Sequence, residues 1–274
     1  MNNYAALMID VKASKTMPSK KREALQHVLN GSIGYLNELF KPVLACDVVF
    51  SAGDEVQGLF RDPASAYLYY RAMLQFAVNF KIRGGVGIGE WDTRIEGAPS
   101  TAQDGSAYHR ARAMIDAAKK SRLYDFMMDR SALPPEATVF ANYSLGISAR
   151  RTKSQMRLAR CIEICSPILP SGGVDVLNAR HKYLPHIADG LSVLEEEESL
   201  FTVSSDWLRP IYLLDWDGDP IDRLPHSISG FSYYLESQGP RTRQSIDRLM
   251  DGAQIHAERV ATVTYAQQLV RWGA

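Results

Sequence analysis

Residues 4–11 read YAALMIDV, an apolar run without alternation that ends beside a single carboxylate. A strand with polar residues on neither face is buried on both, so this pattern predicts a central strand. The polar stretch KASKTMPS forms a loop, and Pro18-Ser19 opens a helix that runs to about residue 40. Its apolar positions Leu25, Val28, Leu29, Ile33, Leu36, Leu39 and Phe40 keep the three- and four-residue spacing of one helix face. Two further runs, PVLACDVVFSAG and EVQGLFR, flank Gly53-Asp54 as the arms of a hairpin. Asp62 and Pro63 supply the N-cap and first turn of a helix reaching about residue 80. KIRGGVGIGE reads as another strand, followed by the polar loop DTRIEGAPSTAQDGS and a helix over about 107–120.

The resulting order, β-α-β-β-α-β-(loop)-α, predicts an α+β fold, a ferredoxin-like sandwich with its helices on one face of the sheet. Beyond residue 121 the pattern blurs into a mixed, partly helical region, which divides the chain into 1–130 and 131–274. There, ATVFANY (137–143) reads as a strand and 152–166 as a basic-faced helix. LPSGGVDVLN reads as a linker, LEEEESLF as a solvated charge run, and LRPIYLLDWDGDP as a strand ending in an acidic turn. Asp215, Asp217 and Asp219 alternate as in some calcium loops, but the other ligands of such a loop are missing. A last helix covers about 242–272.

Thirty-one basic and thirty-one acidic residues give zero formal net charge, so bulk attraction to nucleic acid or to an anionic membrane is not favoured. No apolar run approaches the ~20 residues that span a bilayer, and the N-terminal stretch lacks signal-peptide order. Cys46, Cys161 and Cys165 have no zinc or disulfide spacing, and the last two, four residues apart, read as buried helix residues. A cytoplasmic protein is expected.

The candidate chemistry lies in Asp10, at the end of the first strand, and Asp54, at the tip of the hairpin. In a ferredoxin-like sheet these strand ends are neighbours, and two close carboxylates repel unless a cation lies between them. Hard oxygen ligands on a rigid sheet suit Mg²⁺ or Mn²⁺, with the backbone carbonyl of Val11 as a third ligand. The loop Lys12, Ala13, Ser14, Lys15, Thr16 leads into a helix whose free N–H groups, with Lys12 or Lys15, can hold a triphosphate. Plainer roles stand beside these: Gly-Asp is an ordinary hairpin dipeptide, and Asp10 can cap a helix or pair with Lys12. The glycines of GGVGIGE are not a dinucleotide fingerprint, because no helix follows them directly. Close approach by a backbone or a ligand accounts for them better.

LMIDVKAS, FSAGDEVQGLF, RGGVGIGE and DGSAYHRARAM, in that order, resemble the successive motifs of class III nucleotide cyclases and GGDEF-type diguanylate cyclases. The whole set over about residues 1–125 most resembles the SatD family of bacterial proteins. The resemblance implies a cyclase/polymerase palm in which Asp10 and Asp54 are the two-metal ligands and Glu55 is a further carboxylate that joins them. It also implies transition-state residues on the helix after the fourth strand. The cyclases have an Asn there and an Arg one turn later. Here the segment 107–112 has no Asn, Tyr108 and Arg112 keep the spacing, and His109 takes the motif position. Arg110 and Arg112 are placed to touch phosphate, although a solvated or structural role is open to both, as it is to His109.

The function expected from these readings is a metal-dependent nucleotidyl cyclase or nucleotidyltransferase that turns an NTP into a cyclic or oligomeric signal. Two divalent ions would serve as cofactors, and the resemblance adds a homodimer and a role in stress or phage defence. The alternative is a non-catalytic nucleotide sensor or DNA-binding regulator. Its basic segments, RRTKSQMRLARC and GPRTRQSIDRLMDGAQIHAERV, lack a clear turn between two short helices.

Overall fold

The computed structural model describes residues 3–12, 18–53, 55–77, 80–195, 207–213, 224 and 227–273. Strands β1 (Tyr4–Lys12), β2 (Leu44–Ala52), β3 (Glu55–Phe60), β4 (Lys81–Gly89) and β5 (Phe126–Met128) form one sheet in the order β2-β3-β1-β4-β5. β1 is antiparallel to both β3 and β4, β2 is antiparallel to β3, and β5 adds to β4 in parallel. Helices α1 (Ser19–Phe40) and α2 (Pro63–Phe76) complete the expected β-α-β-β-α-β order, and α3 (Ser106–Lys120) follows β4. α2 begins as expected: Asp62 accepts from the Ser65 N–H at 2.8 Å, with Pro63 in the first turn. It ends at Phe76, short of the expected residue 80.

The helices do not share one face. Ala5, Leu7, Ile9 and Val11 of β1 pack with α1 and α2, whereas Tyr4, Ala6 and Met8 pack with Ala107, Tyr108, Ala111 and Ile115 of α3. The reason lies in β1 itself, whose two alternating residue sets are both apolar, so each face needs a cover. The glycines of β4 then set how close that cover comes. A Cβ on Gly87 would lie 2.0 Å from the Ala111 nitrogen and 2.4 Å from the Ala107 oxygen, and one on Gly85 would lie 2.3 Å from the Ile115 nitrogen. The backbone of α3 fills the space that side chains at these positions would take, so the glycine pattern marks a helix–sheet contact.

The region after β5 is mostly helical. Residues 137–143 belong to helix α4 (Glu136–Ala149), not to a strand. Ala137, Ala141 and Leu145 recur every four residues and are buried in the main core, while Val139, Phe140 and Tyr143 face water. Tertiary burial of the small residues thus overrides the strand preference of the β-branched and aromatic ones. Helix α5 (Lys153–Cys165) forms as expected, with a Thr152–Gln155 capping box, but its Arg157 and Arg160 are buried, not solvated. Cys161 and Cys165 are buried free thiols, as their spacing implied. Helix α6 (Val176–Glu195) begins inside the expected linker, and β6 (Ile168–Leu169) pairs in parallel with β7 (Ile211–Tyr212). Asp215, Asp217 and Asp219 lie outside the described residues, as does most of LEEEESLF.

The expected last helix is two: α8 (Arg243–Gly252) and α9 (Ile255–Gly273), broken where Gln254 adopts φ 50. A short helix α7 (Phe231–Gln238) ends just before the second basic segment, which itself holds α8 and the first turns of the long α9. Side chains of α5, α7 and α8 share a satellite cluster with Trp207, which includes Leu158, Ile162, Phe231, Leu235, Ile246 and Met250.

One main core runs from β1 to α9, and a buried ion network reinforces it. Arg71 of α2 donates from Nε and Nη2 to both Glu258 oxygens of α9, at 2.8 and 2.9 Å, and also pairs with Glu163 of α5. Arg151 lies 3.7 Å from Glu258, and Arg259 lies 3.7 Å from Glu163. Burial pushes the Glu258 carboxyl up, but the charges and bonds of Arg71, with Arg151 and Arg259, bring it down to about 2. Among the described residues no helix is long and apolar enough to cross a membrane.

Candidate functional site

The register of β1 against β3 sets Asp10 directly opposite Glu55. Residues opposite one another on antiparallel strands project to the same face, here the face that α3 covers. On α3, Arg112 and Lys119 are two turns apart on one side of the helix and reach down to this pair. The Lys119 ammonium lies 3.3 Å from Asp10 Oδ1 and 3.5 Å from Glu55 Oε2. Arg112 grips Glu55 with two bonds, Nη1 to Oε2 at 2.7 Å and Nη2 to Oε1 at 2.5 Å. Ser51 Oγ donates to the same carboxylate at 3.3 Å.

Burial raises the pKa of the Glu55 carboxyl, but the bonds and charge of Arg112, with the charge of Lys119, outweigh it and hold the group below the ordinary carboxylate value. The bonds to Glu55 in turn raise the pKa of Arg112. Glu55 is the most covered of the four, with its side chain 11% exposed, while Arg112 (43%) and Lys119 (32%) keep a face to water. Beside them, Arg83 pairs with Asp10 across the β1–β4 ladder and lies 3.6 Å from Asp125. Lys12 Nζ is 2.7 Å from the same Asp125 oxygen.

The structure therefore gathers Asp10, Glu55, Arg112 and Lys12 at one end of the sheet. It does not bring His109, Arg110 or Tyr108 there. His109 and Arg110 stand near the first turn of α3, where His109 faces Asp104 at 3.2 Å and Arg110 donates to the Ile88 carbonyl at 2.5 Å. Ile88 is five positions along β4 from Arg83, about 16 Å at strand rise. Val11 follows Asp10 in β1, with its side chain buried on the opposite face and its backbone, the expected ligand, at the same end of the strand opposite Ile82. Tyr108 is buried, with its hydroxyl 3.1 Å from Ser100 Oγ. Asp54, Ala13, Ser14, Lys15 and Thr16 lie outside the described residues.

Two divalent ions would need open carboxylate oxygens at about 2.0–2.1 Å if they were Mg²⁺. Here both oxygens of Glu55 and one of Asp10 are already engaged by Arg112 and Lys119. Among the described residues no group of three or more His, Cys, Asp or Glu comes together. Among the described residues side-chain cations thus occupy carboxylate oxygens of Asp10 and Glu55, while Asp54, the other expected ligand, lies outside them. Sequence reasoning missed Lys119 and Arg83. The seven-residue step from Arg112 to Lys119 was the available signal for the first, and the β1–β4 register, which places Arg83, has no local signature.

No curated protein and no solved structure matches the chain. Residues 4–133, which carry the five-stranded sheet, α1 to α3 and the Asp10–Glu55 edge, match the SatD family.

Proposed function

We propose that the Asp10–Glu55 edge is a nucleotide-binding site on a cyclase/polymerase-type palm, and that the chain works as a nucleotide sensor. One observation carries this reading: Lys119 bridges the two carboxylates, where a palm enzyme would need a metal ion. The exposed faces of Lys119 and Arg112, with Lys12 and Arg83 alongside, supply fixed charge for phosphate oxygens. Binding then depends on the protein's own cations, and the bound nucleotide leaves unchanged.

The metal-dependent nucleotidyl cyclase or nucleotidyltransferase is the second reading, favoured by the strand order β2-β3-β1-β4 and by Asp10 near the end of β1. It requires Asp54 to join Asp10, Lys119 to leave the carboxylates, and Mg²⁺ or Mn²⁺ to neutralise the phosphates. A homodimer belongs to this reading. A DNA-binding regulator would use α7 and α8, but Arg243, the first residue of α8, is held by Asp247 at 3.4 Å and by Tyr233. It has the least support of the three.

Incubation of the full chain with each NTP and Mn²⁺, followed by mass spectrometry, separates the first two readings. Unchanged NTP is expected. A cyclic or oligomeric product that disappears in Asp10→Asn would establish the cyclase instead.

A further inference from the structure

A cavity with a volume of about 760 Å³ lies between α2, the start of β4, the approach to β5, α4 and the start of α5. We propose that it is a binding site for a small anionic amphiphile, an apolar chain with a carboxylate head. The inference does not rest on the nucleotide reading, although Asp125 of the lining is held by Lys12 and Arg83 of that site.

The volume falls within the roughly 300–1,000 Å³ of small-molecule sites. Tyr70, Leu74, Phe80, Phe126 and Leu145 give it apolar walls, and the rings of Tyr70 and Phe126 pack with centroids 4.4 Å apart. The Tyr70 hydroxyl donates to the Ile82 carbonyl at 3.2 Å, so it asks nothing of a ligand. Gly146 of α4 lines the cavity, and a Cβ there would meet no heavy atom within 4 Å. At the mouth, Leu123, Val139 and Tyr143 are 83%, 46% and 69% exposed, an apolar surface in water that a bound chain would cover.

The polar lining is one-sided. Lys81, Arg150 and Lys153 contribute to it, and none of the three has an ion-pair partner among the described residues. The one carboxylate in the lining, Asp125, is already paired with Lys12 at 2.7 Å. An apolar interior with unpaired cations at its edge complements an anionic head on an apolar chain. It repels the same chain carrying a cationic head.

Calorimetric titration of the full chain with dodecanoate and with dodecyltrimethylammonium, both below their micelle concentrations, tests the proposal. Dodecanoate is expected to bind saturably at one site, at least tenfold more tightly than the cationic probe. Gly146→Phe, which fills the cavity, is expected to lose tenfold or more of that affinity. The exposed double variant Arg150→Glu/Lys153→Glu provides a second readout that leaves the core untouched, and it should abolish the preference for the anionic head. Absence of saturable binding, equal affinity for the two heads, or an unchanged preference in the double variant would overturn the proposal.

Discussion

Replacing Arg71 with Met is expected to destabilise the protein by about 3–5 kcal/mol, the usual effect of removing one partner from a buried ion pair. Arg71 is 3% exposed and bonds two carboxylates on two other helices, so its loss leaves Glu163 and Glu258 facing one another. Arg151 and Arg259 stand 3.7 Å away and compensate only in part. A fall of roughly 10 °C in the melting temperature follows for a chain of this size. The same network fixes an acid limit. The folded pKa of Glu258, about 2, lies below its ordinary 4.5, so this carboxylate stabilises the fold above pH 4.5. That contribution fades as the pH falls towards 2. In Arg71→Met the depression shrinks, and acid unfolding should begin at a higher pH. A loss below about 1 kcal/mol with an unmoved acid transition would mean that the network does not hold the C-terminal helices to α2.

Gly87→Ala should be nearly as damaging, against the expectation from backbone propensity. Adding a Cβ to a strand glycine ordinarily gains about 0.5–1 kcal/mol. Here that Cβ would lie 2.0 Å from the Ala111 backbone nitrogen, so α3 must lift off the sheet. Overpacking of this kind costs about 1–3 kcal/mol, and more where backbone is displaced, so the net loss should be about 2–3 kcal/mol. Gly146→Ala, with open space around the new Cβ, is the control and should gain up to about 1 kcal/mol in its helix. Denaturant unfolding of the two variants checks the sign of each change. Lifting α3 would also withdraw Arg112 and Lys119 from Glu55 and Asp10, so Gly87→Ala should weaken nucleotide binding as well.

The parts of this structure legible in the sequence were those written in local pattern. The unalternating β1, the spacing in α1, the Asp62-Pro63 cap and the Gly53 hairpin turn gave the β-α-β-β-α-β order. What local pattern does not encode is which side of the sheet a helix takes. The placement of α3 rests on alternate glycines whose partner is distant in sequence. The same limit explains the misread α4, where Val139 and Phe140 suggested a strand while Ala137, Ala141 and Leu145 held the buried face. At the site, Asp10 and Glu55 were visible as carboxylates near strand ends. Their cation was sought outside the protein, because the link from Lys119 back to β1 exists only once the helix is docked.

The most direct test of the account is calorimetric titration of wild type and Lys119→Met with each NTP, first in EDTA and then with Mn²⁺. If Lys119 and Arg112 hold the place of divalent ions, the wild type binds an NTP saturably in EDTA. Lys119→Met leaves two carboxylates facing each other and should lose at least tenfold in affinity until Mn²⁺ is added. Wild-type binding that requires Mn²⁺, with Lys119→Met indistinguishable from it in both buffers, would contradict the account and return the edge to a metal site.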